Sequence, residues 1–312
     1  MRNKTAMISQ ILQPLIRLTV RTLLLFPKPV FLGFLRGIRR VFNRSFSELF
    51  LDECLGRYMY LGYASIPVAE LSLEATIPVN LNLDLGDYIQ RSFYLFGYPP
   101  FTGELLKFCD QRTAFFDIGA NLGIITLAVA KHTPANYLFA FEPEPGNFAK
   151  LKANLLKNCP EARAFQLGLS DTNGKIEMKS LDYDSGSASF EIGYLETRMH
   201  DYKCHSKSTM VKVDVATFDS VITDIDLSNR AKVAMKIDVE GHELAVLRGM
   251  RAFFQRSTQE ICIVIETHKK NFSEVQKTLT GERFAIAWPP AEELEAFWSG
   301  DASAIDLVFI RP

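Results

Sequence analysis

Residues 114–148, AFFDIGANLGIITLAVAKHTPANYLFAFEPEPGNF, constrain the fold of this chain more than any other stretch. Ala114 to Ile118 reads as a short buried strand, and Asp117-Ile-Gly119-Ala120-Asn121-Leu-Gly123 as a tight glycine-rich turn. Ile124 to Lys131 then reads as a helix, and Tyr137 to Phe141 as a second strand ending in Glu142. The result is a β-α-β unit with an acidic residue at the tip of each strand. Open α/β sheets bind ligands outside the carboxyl ends of their strands. Gly119 and Gly123 suit close backbone approach at a first strand–helix turn. Glu142 follows Asp117 by 25 residues, a spacing that suits a carboxylate on a ribose diol.

A dinucleotide fold uses a similar unit, but its G-x-G-x-x-G pattern is missing: the turn has only Gly119 and Gly123, with Asn121 between them. Asp117, two positions before the first glycine, is a poor neighbour for a pyrophosphate and a good one for a cationic amino-acid group. S-adenosylmethionine has such a group and no phosphate, so it is the expected cofactor. A dinucleotide, or a nucleotide-shaped fold with no cofactor, are the alternatives. The turn from Gly119 through Ala120 and Asn121 to Gly123 would cradle the methionine portion. Asp117 would act near its ammonium through a water or a backbone contact, and Glu142 would take the ribose hydroxyls. Ser170 and Asp171 are candidates for the adenine edge. Asp171 reads equally as a turn former before Asn173-Gly174.

The chain has 312 residues, enough for one large α/β domain plus an attached region. Its net charge of −1 gives no general pull toward nucleic acid. Residues 1–47 carry nine Arg or Lys and no acid, so the rest carries about −10. Within Ile8 to Leu35, Pro14, Arg17, Arg21, Pro27, Lys28 and Pro29 interrupt the apolar run, which argues against a bilayer span or a cleaved signal peptide. Residues 8–44 suit either an interfacial helix pair on an anionic membrane surface or a helical cap on the catalytic domain or a second subunit. A cytoplasmic protein, peripheral on the membrane in the first case, is expected. Cys54, Cys109, Cys159, Cys204 and Cys262 form no CxxC pair and read as thiols in a reducing compartment. Residues 48–112 connect the arm to the core: Val79 to Leu85 alternates as a half-buried strand, and Thr102 to Cys109 reads as a helix.

Residues 113–312 are expected to form the cofactor-binding catalytic domain. Ala162 to Leu169 reads as its third strand, and Thr209 to Val215 as a returning one. A polar, broken insertion at about 180–208, holding His200 and His205, is placed to face the acceptor. Val233 to Ile237 reads as a buried strand with Asp238 at its tip, Val239-Glu240-Gly241 as a turn, and His242 to Met250 as a helix start. Ile261 to Ile265 reads as another buried strand, ending in Glu266-Thr267-His268. Phe284–Ala287 and Ile305–Ile310 read as the last two strands. Buried strands that repeatedly end in carboxylates and imidazoles are costly unless those groups meet ligands or each other. A sulfonium needs no acid to assist its departure, which leaves positioning and one base. His242 is the first candidate base and His268 the second, with Asp238 and Glu240 beside the former. Asp238, Glu240, Glu266 and His268 would alternatively hold Mg²⁺, although no dense ligand motif marks a metal site.

At Phe116-Asp-Ile-Gly-Ala-Asn-Leu-Gly123, Phe141-Glu-Pro143, Gly168-Leu-Ser-Asp171, Val215-Ala-Thr-Phe-Asp219, Lys236-Ile-Asp-Val-Glu-Gly-His-Glu243 and Leu247-Arg-Gly249, the chain resembles the FkbM family of S-adenosylmethionine-dependent methyltransferases. The resemblance covers roughly residues 95–270. Phe218 departs from the family's frequent leucine before Asp219. It implies a doubly wound, seven-stranded, mostly parallel sheet with an antiparallel C-terminal strand, to which this chain adds its helical N-terminal arm. It further implies O-methylation of hydroxyls on polyketides, sugars or other natural products. By the same comparison Asp117, Gly119, Gly123 and Glu142 are cofactor residues, and Asp238, Glu240 and His242 lie at the active-site rim. A cofactor-binding scaffold without catalysis, or a membrane-surface adaptor using the basic arm, are the alternatives from other classes.

Overall fold

The computed structural model describes residues 97–181, 184–190, 208–300 and 302–312, together with 66–68, 79, 81–83, 87, 89, 90 and 93. The basic arm, and with it the membrane and second-subunit readings, lies outside the described residues, as do Cys54, Cys204, His200 and His205. Two compact units divide after Gly97. In the first, β1 (Ile66–Val68) and β2 (Leu81–Leu83) form an antiparallel pair. Of the strand expected over Val79 to Leu85, the described residues show Leu81–Leu83.

The second unit begins with α1 (Phe101–Phe108), β3 (Thr113–Ile118), α2 (Ile124–Val129), β4 (Leu138–Phe141), α3 (Pro145–Asn158) and β5 (Arg163–Phe165). It continues through β6 (Gly168–Leu169), β7 (Gly174–Leu181), β8 (Asp184–Ser189), β9 (Ser208–Ala216) and α4 (Phe218–Val221). Next come β10 (Lys232–Ile237), α5 (Glu243–Arg248), α6 (Arg251–Arg256) and β11 (Glu260–His268). The chain closes with α7 (Phe272–Gly281), β12 (Ala285–Trp288), α8 (Ala291–Ser299) and β13 (Ala304–Arg311).

Seven strands make the main sheet in the order β12-β13-β11-β10-β3-β4-β5. Of these, β13 alone runs against its neighbours, pairing antiparallel with both β11 and β12. The strands β3, β4, β10 and β11 are covered on both faces, which is why they read as near-continuous apolar runs. Phe116 stacks on Phe139 at 4.9 Å and meets Phe218 edge-on at 5.0 Å, and Phe218 in turn packs on Phe253 at 5.0 Å. From β3 the chain winds toward β4, and from β10 toward β11 on the opposite side. The adjacent tips of β3 and β10 are thus the topological switch point, where such sheets bind ligands.

Three sequence expectations change. Residues 162–169 form no single strand: β5 joins the main sheet, whereas β6 pairs with β9 in a second sheet of order β6-β9-β7-β8. Ser170 and Asp171 therefore do not stand at a tip of the main sheet. The insertion begins not as a broken loop but with a strand, β8, that pairs with β7. Glu266, Thr267 and His268 lie inside β11 rather than past it, held by pairing with Asp306, Ile305 and Ala304 of β13. Cys109, Cys159 and Cys262 are buried free thiols, as expected.

Asp219 shows how the motif residues serve the fold. Its carboxylate accepts the backbone N–H groups of Ala252 and Phe253 at 2.9 and 2.7 Å, satisfying donors at the start of α6. Replacing Asp219 with Ala is expected to lower stability by about 1–2 kcal/mol, read as a lower urea-unfolding midpoint with an unchanged slope.

Candidate active site

The glycine turn at the tip of β3 is fixed by its own neighbours. The N–H groups of Gly119 and Ala120 both donate to the Phe141 carbonyl, at 3.0 and 2.9 Å, locking the tip of β3 to the end of β4. Gly119 sits at φ +76°, and a Cβ there would run into the Asp238 carbonyl oxygen. This glycine therefore admits the tip of β10. Gly123, at φ +79°, would place a Cβ 2.5 Å from Leu151 Cδ1, so it admits α3. Asn121 adopts φ +50°, a conformation that asparagine tolerates better than most residues.

Asp117 is wholly buried beneath the turn. Its Oδ2 accepts from Thr126 N–H at 3.0 Å and from Thr126 Oγ1–H at 2.6 Å, tying the strand tip to α2. Burial pushes its carboxyl above the ordinary range, against the opposing pull of Lys236 and Thr126. Any influence of Asp117 on a ligand must pass through the backbone above it. Glu142 is also buried: its Oε2 accepts from Asn121 N–H and its Oε1 from Glu144 N–H, both at 2.9 Å. Burial lifts its carboxyl to about 7. Each of its oxygens has a second acceptor direction, which suits a vicinal diol.

Lys236 joins this turn to the other half of the site, a role that reading the sequence did not assign. A lone lysine within the apolar strand VAMKI was the available signal. Its Nζ donates to the Gly119 carbonyl at 2.6 Å, lies 3.1 Å from Asp238 Oδ2 and is 3.8 Å from Asp117 Oδ1. Burial pulls the ammonium down, but Asp238 and Asp117 outweigh it and hold Lys236 above the ordinary lysine range.

Beyond β10, the Val239-Glu240-Gly241 turn passes through φ +53° at Glu240 and +103° at Gly241. Buried Glu243 holds it, its Oε1 accepting from Gly241 N–H at 2.9 Å and Val239 N–H at 3.3 Å. Burial raises the Glu243 carboxyl to about 7. Ser189, at the end of β8, donates to the Glu240 carbonyl at 2.6 Å. Carboxylate oxygens of Asp238, Glu240 and Glu266 lie within 4.8 Å of one another. Burial, with Asp238 and Glu240 alongside, pushes Glu266 well above the ordinary carboxylate range. His268 is buried, its Nε2 3.7 Å from Glu266 Oε2.

His242 is the N-cap residue of α5 rather than its first helical residue. Its Nε2 lies 2.9 Å from Ser170 Oγ, and its ring meets Phe190 at 4.8 Å. Asp171 is exposed and pairs with Arg248 at 2.9 Å. The structure thus gathers Asp238, Glu240 and Glu266, sets His268 against Glu266, and links the Asp117 side through Lys236. Ser170 meets His242, and Asp171 meets Arg248.

A doubly wound seven-stranded sheet with one antiparallel strand, an acidic second-strand tip and a polar rim at the switch point define a Rossmann-like methyltransferase. The methyltransferase FkbM domain matches residues 117–295, and the chain belongs to this family of S-adenosylmethionine-dependent enzymes. It is 24% identical over 192 residues to Methyltransferase 1 of Beauveria bassiana, covering 56% of this chain and 76% of that one. It is 30% identical to the hexuronic acid methyltransferase AglP of Haloferax volcanii, over 53% of this chain and 59% of that one. The 31-O-demethyl-FK506 methyltransferase FkbM of Streptomyces tacrolimicus is 26% identical, over 55% and 72%. Among solved structures, methyltransferase FkbM of Methylobacillus flagellatus KT is 13% identical, with TM-score 0.40 over 70% of this chain and 52% of that one.

Two outcomes follow from the buried charges. Lys236→Met leaves Asp117 and Asp238 without their cation, and urea unfolding should show a loss of about 3–5 kcal/mol. Adding Asp117→Asn should recover part of it. Glu243, raised to about 7, favours the folded state fully only below its unfolded value, and that contribution disappears as pH rises through about 7. Between about pH 5 and pH 8, wild type should therefore lose on the order of 2–3 kcal/mol relative to Glu243→Gln, measured by urea unfolding at each pH.

Proposed function

We propose that this enzyme methylates a hydroxyl oxygen of a small molecule, sugar or lipid-like natural product, with His242 as the base. The observation that carries this reading is the gathering of the Asp238, Glu240 and Glu266 carboxylates beside the buried imidazole of His268, joined by Lys236 to the glycine turn, with His242 at the start of the helix that follows the Val239–Gly241 turn. The residues present fit S-adenosylmethionine: residues 119–123 carry no cationic side chain for a pyrophosphate, the Lys236 ammonium beside them is taken up by Asp238 and Asp117, and Glu142 offers two acceptor oxygens at the second strand tip. Gly119, Ala120, Asn121 and Gly123 would hold the amino-acid end, Asp117 supporting them from below, and Glu142 the ribose. When bound, the cofactor supplies an activated methyl group on a positive sulfonium.

His242 takes the proton of the acceptor hydroxyl. Asp238, whose side chain is 37% exposed, accepts hydrogen bonds from neighbouring hydroxyls, as do Glu240 and Glu266. A polyol matches such a donor-hungry rim, and a nucleic-acid phosphate does not. His268, packed against Glu266, steadies that carboxylate. The hexuronic acid and FK506-type substrates named for two relatives are consistent with a hydroxylated acceptor. The same three carboxylates form an oxygen-donor set for a hard cation, so a second reading has Mg²⁺ binding the acceptor oxygens there.

Calorimetric titration should show S-adenosylmethionine binding and no binding of NAD. Glu142→Ala should weaken the former by about tenfold or more. Labelled methyl should pass to members of a panel of hexuronic acids, polyols and polyketide alcohols. His242→Ala should cut that turnover by about 10²–10⁴ while cofactor affinity holds. Loss of turnover with EDTA, restored by Mg²⁺, would favour the cation reading, and indifference to EDTA would dismiss it. Binding of NAD alone would overturn the function.

A further inference from the structure

We propose that Ser170, Asp171 and Arg248 form a chain that orients His242, making Ser170 and Asp171 positioning residues for the base instead of contacts for the adenine edge. This inference rests on His242 being the base. Ser170 is wholly buried and its backbone is fixed on two sides. Its N–H donates to the Ala216 carbonyl at 2.9 Å, continuing the β6–β9 pairing. Its carbonyl packs against Gly249, where any Cβ would collide with it. The hydroxyl is therefore presented from a rigid segment, as precise orientation of a second group requires.

Helix α5 supplies both ends of the chain. His242 caps its start and Arg248 is its last residue, and the Ser170–Asp171 segment meets both. Arg248 Nε donates to Asp171 Oδ2 at 2.9 Å, and Ser170 Oγ–H donates to Asp171 Oδ1 at 3.4 Å. Ser170 Oγ also lies 2.9 Å from His242 Nε2. A hydroxyl has one proton; with that proton directed at Asp171, Oγ accepts from Nε2–H. In the neutral ring the basic nitrogen is then Nδ1. The hydrogen bond from Arg248 holds Asp171 below the usual carboxylate range, so the far end of the chain stays anionic. Phe190, from the end of β8, packs against the imidazole and limits its rotation. An acid reaching a histidine's distal nitrogen to fix its tautomer is a general device of acid–base sites. Here a serine intervenes.

The test uses full-length Ser170→Ala and Asp171→Asn with three readings: S-adenosylmethionine affinity by calorimetry, ¹⁵N NMR of the His242 ring, and methyl transfer to whichever acceptor the panel yields. Affinity should stay within about twofold, because under this proposal neither residue contacts the cofactor. The wild-type neutral ring should carry its proton on Nε2, and Ser170→Ala should release it into a mixture of tautomers. Turnover should fall by about 10–100-fold at unchanged acceptor KM, a share of a general base's contribution. A wild-type ring protonated on Nδ1 would overturn the proposal. So would a tenfold loss of S-adenosylmethionine affinity with the tautomer intact, which would return both residues to the adenine edge. Asp171 is exposed, so its variant remains informative even if Ser170→Ala fails to fold. If the wild type binds S-adenosylmethionine but methylates nothing, the proposed function fails, while the nitrogen signature still decides the orienting chain.

Discussion

The buried ammonium of Lys236 is the interaction on which both halves of the site depend. It sits at the switch point between β10 and β3, paired in register with Asp117, and reaches the Gly119 carbonyl and the Asp238 carboxylate together. A charge removed from water is tolerated only when its donors are met and its neighbours are opposite in sign. Lys236 satisfies that condition only because the glycine turn after β3 and the acidic turn after β10 converge on it. The same convergence explains Gly119, which gives way to the Asp238 carbonyl. The two halves of the site are thus one packed unit, and neither can move far without uncovering the lysine.

The second sheet adds a cover that touches both halves. Ser185 of β8 accepts from Asn147 Nδ2 through its carbonyl at 2.8 Å, on the cofactor side. Ser189, at the other end of the same strand, reaches the Glu240 carbonyl, and Phe190 follows onto His242. A strand of six residues, Asp184–Ser189, is long enough to reach from one half to the other. Of these hydrogen bonds, Ser189 makes its own through its polar side chain, whereas Ser185 makes its own through the backbone.

Much of the main sheet was legible because its strands obey simple rules. Parallel strands covered on both faces become continuous apolar runs, and glycine turns and acidic tips punctuate them, so Ala114–Ile118 and Val233–Ile237 could be placed to within a residue or so. Residues 162–169 failed for a physical reason: both β5 and β6 are short extended segments, and periodicity does not say which sheet a strand will join. His268 was legible as a histidine after an apolar run, but its enclosure within β11 depends on pairing with β13, more than thirty residues later. The Asp238, Glu240 and Glu266 cluster was legible as three acids near strand ends; that their oxygens meet within 4.8 Å depends on the register of β10 against β11.

By itself the sequence determined the β-α-β unit, the acidic strand tips and the kind of cofactor they suit, because those follow from local patterning and from the chemistry of residues close together in the chain. Tertiary structure alone decided what the acids face. Asp117 turns inward to Thr126, Asp171 turns to Arg248, and Lys236 bridges two turns that lie far apart in sequence. Such roles depend on which side chains share a buried volume. That is set by strand order and by pairing between strands distant in the chain, which the pattern of one segment alone does not assign.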